Sequence, residues 1–213
     1  MTATATTEVS KKPRKRAQSL ARFAIPIFCL IPVSGLLVFF FLDKLGADPI
    51  EKITHVTGEW GLRFLFLSLC VSPARKFLSW QWLAPHRRTL GLASFGYALL
   101  HLATYLVFDL GFNFAFLGED ILERPYITVG FGTFLILLAL AVTSNRRAIR
   151  KLKKRWVTLH RLVYLAGIGA VVHFLWLVKA DLREPLIYAA VLAALLATRI
   201  PWQTLRARYS TSK

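Results

Sequence analysis

The sequence predicts an all-α membrane protein, folded as a bundle of six transmembrane helices. Of its 213 residues, 55% are hydrophobic and only 18% are charged, and the mean hydropathy is +0.50. That composition is typical of a multi-span membrane protein rather than of a soluble domain. Several apolar runs approach or exceed the length of about 20 residues that a helix needs to cross a bilayer. The segments that connect these runs alternate between basic and neutral or acidic.

The spans are predicted at residues 23–42, 58–72, 89–110, 125–144, 156–179 and 185–200. Pro26 and Pro32 are expected to kink the first span, and Pro73 is expected to end the second. We expect the segments between the spans to be loops. The domain organisation is predicted as a disordered basic tail (1–19), one transmembrane domain (20–202) and a second basic tail (203–213).

The distribution of positive charge predicts the orientation in the membrane. Lysine and arginine concentrate before the first span and after the second, fourth and sixth spans, whereas the other connections are neutral or acidic. Because this bias marks the cytoplasmic side, both termini are predicted to be cytoplasmic. The formal net charge of +17 belongs to these short segments, so nucleic-acid binding is not expected.

Three histidines lie in the predicted spans: His101 in the third, and His160 and His173 in the fifth. Ionisable side chains at membrane depth are costly and usually face a bundle interior or a cofactor. Neutral imidazole is also a common axial ligand of haem iron. The pattern therefore favours haem held between helices over simple interhelical hydrogen bonds.

Two of these histidines are predicted to lie at a similar depth in the membrane. His101 and His173 both lie near the outer ends of their spans, so they are predicted to share one haem. Gly96 and Gly169 are expected to leave room for the macrocycle, and Tyr97 and Tyr105 lie one turn either side of His101, where they are expected to orient it or a propionate.

His160 lies about 20 Å from His173 along the helix axis, at 1.5 Å per residue. It is predicted to serve the cytoplasmic side, as a ligand of a second haem or beside a flavin. A symmetrical arrangement would need its partner at Arg88, which is not a histidine. His86, in a predicted loop, is an alternative ligand, whereas no role is expected for His55.

Arginines precede the third span, and they have two interpretations. Arg87 and Arg88 are expected to pair with a cofactor's propionates or phosphate, because guanidinium matches such groups. Alternatively, they are positive-inside anchors. Glu59 and Arg63, one turn apart in the second span, form an ordinary ion pair or contact a cofactor.

Four segments carry a family resemblance: residues 58–75, 87–105, 123–144 and 156–179. The first reads GEWGLRFLFLSLCVSPAR and the last WVTLHRLVYLAGIGAVVHFLWLVK. Together they resemble the MsrQ family, formerly YedZ, within the wider group of ferric-reductase-like transmembrane proteins. Members are the haem-binding membrane subunits of the bacterial periplasmic methionine sulfoxide reductase system.

The resemblance implies an electron-transfer subunit of the bacterial inner membrane, rather than an enzyme that is catalytic alone. It implies one or two haem b groups, with ligands carried over to His101, His160 and His173, and an FMN whose site no motif identifies. It further implies a periplasmic molybdopterin-containing partner and a quinone or cytosolic flavin reductase as electron donor. The larger ferric reductases have two histidines on the third span; this sequence has one, which puts a second bis-histidine haem in doubt.

Two other function classes compete with electron transfer. One is a transporter whose histidines relay protons or bind a metal ion, and the other is a structural or assembly factor. Transporters of that kind often contain internal repeats, and we expect none in this sequence. A structural factor would not need three histidines at membrane depth.

Overall fold

The computed structural model describes residues 12–178 and 181–200. In those ranges the chain is helical and contains no β-strand, as the all-α prediction requires. The helices are α1 (Lys12–Phe41), α2 (Pro49–Phe77), α3 (His86–Thr104), α4 (Phe114–Glu123), α5 (Pro125–Val142), α6 (Arg146–Leu152), α7 (Lys154–His160), α8 (Leu162–Leu177) and α9 (Arg183–Ala197). Helix α1 thus begins inside the predicted tail at 1–19. Residues 1–11, the predicted tail at 203–213 and Lys179 lie outside the described ranges.

Four stretches of helix are long and apolar enough to cross a membrane: Ala21–Phe41, His86–Asp109, Pro125–Val142 and Lys154–Leu177. They correspond to the first, third, fourth and fifth predicted spans. The other two stay predictions. Helix α9 has 15 residues, fewer than the roughly 20 of a typical span, and the charged pair Glu59 and Arg63 lowers the apolarity of α2.

Helix α2 does not end at Pro73, so that prediction is wrong. The helix begins at Pro49, where the side chain of Asp48 accepts a hydrogen bond from the Glu51 amide at 2.9 Å, and it continues to Phe77. A proline inside a helix leaves the carbonyl four residues earlier without its amide donor. Here that carbonyl, Leu69, accepts instead from Nη2 of Arg199 at 2.8 Å. The arginine therefore explains why the helix passes through Pro73.

A side chain also reaches the main chain of α1 next to Pro32. The hydroxyl of Tyr97 accepts from the Val33 amide at 3.0 Å and donates to the Cys29 carbonyl at 2.9 Å. These two main-chain groups are four residues apart, so the hydroxyl bridges a helical donor–acceptor pair. A proline kink is tolerated when a neighbouring helix satisfies the main chain in this way.

Two predicted loops contain helices, and the fifth span is interrupted. Helix α4 occupies most of the predicted loop at 111–124 and helix α6 most of that at 145–155. The fifth span is divided at Arg161 into α7 and α8. The helix between His160 and His173 is therefore interrupted at Arg161, and it is continuous through Gly167 and Gly169.

Helix α2 lies at the centre of the bundle. Phe64 and Leu69 on this helix are fully buried. One apolar cluster joins it to α5, α8 and α9 through Leu137, Ala166 and Leu192, and a second joins it to α1 and α3. A helix enclosed by its neighbours need not be uniformly apolar, which accounts for charged residues in α2. In contrast, many large apolar side chains of α1 are exposed, as expected for a helix that faces lipid.

The bundle has two chemically different ends. The acidic end holds the connections 42–48, 110–113 and 178–182 together with α4. Every acidic residue after Glu8 lies there or in the adjoining turns of the helices, except Glu59 in the third turn of α2. The basic end holds the connections 78–85 and 143–145, helix α6 and Arg199. These two names are used below for the two ends.

Candidate functional site

His101 of α3 and His173 of α8 lie side by side near the acidic end. Their ring centroids are 6.1 Å apart and the ring planes are inclined at 82°. The two helices approach this point from different sides of the bundle, since α3 packs mainly on α2 and α8 mainly on α5. The structure therefore brings together the two histidines that depth counting paired, whereas His160 lies at the other end of its span.

Each of the two rings is anchored by one hydrogen bond to the main chain of the helix beside it. Nδ1 of His101 lies 2.9 Å from the Thr54 carbonyl oxygen, and Nδ1 of His173 lies 2.7 Å from that of Tyr126. A carbonyl oxygen only accepts, so each Nδ1 holds the proton and donates. In the neutral imidazole the lone pair is then on Nε2, which has no hydrogen-bond partner among the described residues for either ring. This is the arrangement that metal-ligating histidines use.

A glycine lies one turn after each accepting carbonyl and makes room for the ring. A Cβ added to Gly58 would lie 3.0 Å from Nδ1 of His101, and one added to Gly130 would lie 2.6 Å from Nδ1 of His173. Any larger residue would push the imidazole away from its carbonyl. These two glycines and the carbonyls of Thr54 and Tyr126 were not anticipated from the sequence.

The two anchored histidines reveal an internal repeat, so the expectation of none was wrong. Thr54, Gly58 and His101 recur 72 residues later as Tyr126, Gly130 and His173. Each half is a helix pair, α2 with α3 and α5 with α8, and these pairs have the most extensive contacts in the described chain. Glycine and histidine at equal separation were the available signal, and the residues between them differ in the two halves.

The repeat continues at the point where the two helices of each pair cross. In the first pair, Gly61 faces Tyr97, whose Cβ lies 3.6 Å from a Cβ added to the glycine. In the second pair the small and the larger residue change places. The first helix contributes Thr133 and the second contributes Gly169, and the threonine packs directly on the glycine. Gly169 therefore serves helix packing and does not leave room for a macrocycle, contrary to the sequence-based expectation.

The two tyrosines near His101 do not contact it through their hydroxyls. Tyr97 is bonded to α1, as described above, and the Tyr105 hydroxyl donates to the carboxylate of Asp120 in α4. Asp120 also forms an ion pair with Arg124 at 3.2 Å and so raises the pKa of that guanidinium. Tyr105 begins a π-helical turn, Tyr105–Asp109, a feature frequent near functional sites. Gly96 has open space beside it.

His160 has different partners. Its ring stacks on Trp156 with centroids 3.9 Å apart, and its Nε2 lies 3.1 Å from the Thr143 hydroxyl. That hydroxyl already donates to the Ala139 carbonyl at 2.7 Å, so it accepts from Nε2–H of His160. In this position the lone pair of the neutral ring is on Nδ1, the reverse of the two histidines at the acidic end.

The adjacent arginines at the start of α3 point to different places. Arg87 is half-buried and lies within electrostatic range of the Tyr164 hydroxyl and of His160. Arg88 is exposed and lines a cavity of 930 Å³ at the basic end, together with Arg22, Trp82, His86 and Arg146. His86 is the first residue of α3 and is buried, so its placement in a loop was wrong.

Two further charged residues of interest form contacts within the protein. Arg63 donates from Nη2 to Glu59 at 2.7 Å and from Nε to the Tyr188 hydroxyl at 3.0 Å, which supports the ion-pair interpretation of this sequence pair. His55 is exposed and its Nε2 lies 3.8 Å from Glu51.

Comparisons with known proteins agree with this architecture. Residues 57–171 match the family described as "Ferric reductase like transmembrane component". The chain belongs to the MsrQ family. It is 48% identical over 171 residues to a protein of Xanthomonas euvesicatoria, an alignment that covers 80% of this chain and 78% of the relative. It is 47% identical over 203 residues to a protein of Azospira oryzae, covering 91% of this chain and 87% of the relative.

Both relatives are named "Protein-methionine-sulfoxide reductase heme-binding subunit MsrQ". No solved structure is significantly similar to this chain. The MsrQ resemblance that four sequence segments suggested is therefore confirmed.

The residues of this MsrQ chain fit the ligand set of a haem. A metal ion bound between the two rings would lie about 2 Å from each Nε2. Adding the distance from each Nε2 to the centre of its ring gives a centroid separation close to the observed 6.1 Å. Both lone pairs are on Nε2 and both rings are held from behind by a carbonyl. Within residues 12–178 and 181–200, no three His, Cys, Asp or Glu side chains converge to hold a metal ion.

Proposed function

We propose that this MsrQ chain is a haem b-binding membrane subunit that transfers electrons across the bacterial inner membrane to a methionine sulfoxide reductase. The observation that supports this most strongly is the pair His101 and His173, anchored through Nδ1 with Nε2 available. The names of the relatives supply the reductase system. A haem bound at this pair supplies a centre that accepts and donates one electron.

The protein's own contribution is to hold two neutral imidazoles in fixed orientation. The Thr54 and Tyr126 carbonyls keep the proton on Nδ1 and strengthen Nε2 as a ligand. Since both carbonyls belong to helices that pack tightly on their partners, the rings have little freedom to rotate. A rigid pair of ligands suits electron transfer, because little structural change accompanies a change of charge.

The distribution of charge supports an orientation in which this pair lies near the periplasm. The basic end carries the positive charge typical of cytoplasmic segments, and the acidic end would then face outward. Electrons would leave from the His101 and His173 level toward a periplasmic molybdopterin-containing partner. They would enter at the basic end from a quinone or a cytosolic flavin reductase, with both termini in the cytoplasm.

His160 would serve the entry side, either as one ligand of a second haem or beside an FMN. Arg87 lies close to it and is placed to bind a propionate or phosphate. Arg88 would instead contact molecules that enter the cavity, which it lines together with Arg22 and Arg146. Thus the two neighbouring arginines have separate roles.

Absorption and electron paramagnetic resonance spectra of the purified chain test the proposal. The wild-type protein should have a low-spin bis-histidine haem. His101→Ala and His173→Ala should each abolish the same signal, because each removes one of two axial ligands. His55→Ala is a matched control and should change nothing.

The His160→Ala variant separates the two ends. It should retain the bis-histidine signal and slow haem reduction by the cytoplasmic donor. If His160→Ala and His101→Ala removed the same signal while His173→Ala kept it, the pairing would be wrong. A wild-type protein without haem would overturn the proposed function itself.

Reporter fusions test the orientation. Fusions at Ala47, Leu117 and Leu182 should be periplasmic, since all three positions belong to the acidic end. Fusions at Ser79 and Ile149, at the basic end, should be cytoplasmic. A single fusion on the opposite side would refute the six-span topology.

A further inference from the structure

One arginine at the start of α3 and one in the turn after α9 lie near the same tyrosine at the basic end. Nη1 of Arg199 donates to the Tyr164 hydroxyl at 2.7 Å, and its Cζ lies 4.8 Å from the centre of the tyrosine ring. Arg87, at the start of α3, lies within electrostatic range of the same hydroxyl and of Arg199. Arg75 adds a third positive charge nearby. The cluster therefore concentrates cations where α2, α3, α8 and α9 meet.

Nothing among the described residues at this end neutralises these cations. Within residues 12–178 and 181–200, the acidic side chains lie in or next to the acidic end. Like charges in close contact are unfavourable, and more so away from bulk water. An anion bound between the guanidinium groups would remove this repulsion.

The donors of Arg199 are only partly used. Nη2 is occupied by the Leu69 carbonyl at 2.8 Å and Nη1 by Tyr164, but Nε is buried and has no partner among the described residues. A buried unpaired donor costs free energy unless a ligand or water accepts from it. The Leu69 carbonyl also fixes the guanidinium in place, so its free edge is oriented in advance of ligand binding.

From this cluster we propose that Arg87, Arg199 and Tyr164 form an anion site that binds a carboxylate or phosphate of a cofactor held beside His160. Guanidinium groups match both oxyanions with paired, charge-assisted hydrogen bonds. The proposal rests on the proposed function for the position of the cofactor, since Arg87 also lies close to His160. It adds Arg199 and Tyr164 as binding residues and excludes Arg88, which faces the cavity with Arg22.

The two sources of the oxyanion are a haem propionate and the phosphate of FMN, and binding experiments distinguish them. The full chain would be placed in phosphatidylcholine nanodiscs, which contain no anionic lipid. FMN affinity would be measured by flavin fluorescence, and the content and midpoint potential of each haem by optical titration. Arg87→Gln, Arg199→Lys and Tyr164→Phe are the test variants, and Arg150→Gln, on an exposed arginine of α6, is the matched control.

With a phosphate ligand, Arg87→Gln should weaken FMN binding roughly ten-fold or more, as expected for loss of a charge-assisted hydrogen bond. With a propionate ligand, the same variant should deplete the haem associated with His160 or lower its midpoint potential, and FMN affinity should not change. Arg199→Lys should cause a smaller loss of the same ligand, because the charge stays while the fork is lost. Tyr164→Phe should have the smallest effect.

The haem of His101 and His173 is the internal reference for folding. A variant that keeps this signal is folded, so its other changes report on the anion site. Arg199→Lys preserves a donor for the Leu69 carbonyl, and Arg87→Gln removes no hydrogen bond to the main chain among the described residues. Both variants are therefore expected to fold.

Equal FMN affinity and equal haem properties in Arg87→Gln, Arg199→Lys and Arg150→Gln would overturn the anion site. That result is distinct from failure of the proposed function, in which the wild-type chain would lack the bis-histidine haem altogether. FMN binding can still be measured in that case, so the anion site is tested independently.

Discussion

The helix pair α2–α3 and the helix pair α5–α8 perform the same task with different packing. Both hold an imidazole against a carbonyl and over a glycine, and the matching residues are 72 positions apart. They differ in how closely the ring approaches the glycine, in which helix contributes the small residue at the crossing, and in their contact with α1. The comparison shows that the anchor of the ligand is what the two halves share, whereas the surrounding packing is free to vary.

The largest expected effect comes from the glycines under the rings. Gly130→Ala should weaken haem retention roughly ten-fold or more, because overpacking costs about 1–3 kcal/mol and the added Cβ would lie 2.6 Å from Nδ1 of His173. Gly58→Ala should have a smaller effect, since the corresponding distance is 3.0 Å. Haem content per purified chain measures both.

Gly132→Ala is the control for this experiment, because no atom lies within 4 Å of its added Cβ. Equal haem loss in all three variants would mean that helix stability, and not contact with the ring, determines the result. A greater loss for Gly58→Ala than for Gly130→Ala would contradict the ranking of the two halves.

The next largest effect is expected on stability, at the points where the two helices of each pair cross. Gly169→Ala should destabilise the protein by about 1–3 kcal/mol, as overpacking does in other cores, because Thr133 occupies the space of the added Cβ. Gly61→Ala should be tolerated better, since its nearest neighbours would be at the ordinary distances of 3.5 and 3.6 Å. Thermal unfolding in detergent, followed by loss of the haem spectrum, measures the difference.

Removing the threonine side chain tests whether the contact is responsible. The double variant Gly169→Ala with Thr133→Ala should recover most of the lost stability. If Thr133→Ala left the destabilisation by Gly169→Ala unchanged, the size exchange at the crossing would not explain the glycine.

The smallest effect is expected at the contact between α3 and α1. Tyr97→Phe removes two hydrogen bonds to the main chain of α1, while the ring keeps its place in the core, so the change should be confined to α1. Amide hydrogen exchange at Val33 should become faster, and the haem spectrum should stay unchanged. Unchanged exchange at Val33 would show that the hydroxyl does not hold the helix.

The sequence was sufficient for the class of the protein, for four spans, for the MsrQ family and for the proximity of His101 and His173. The family follows from the resemblance of four segments to MsrQ. The others follow from local composition or from position along a helix, which the one-dimensional order of residues preserves. The alternation of charge along the chain likewise distinguishes the two ends of the bundle, because successive connections between spans fall at alternate ends.

The environment of each side chain was decided by the tertiary structure. Whether Arg87 and Arg88 face the same ligand depends on rotation about α3, and adjacent residues on a helix point about 100° apart. Three features depend on a group more than 40 residues away in the chain. They are the hydrogen bonds of the Tyr97 hydroxyl, the donor to the Leu69 carbonyl that Pro73 leaves free, and the ring nitrogen on which His101 holds its proton. Such contacts exist only after helices pack, because packing brings together atoms whose separation along the chain carries no signal.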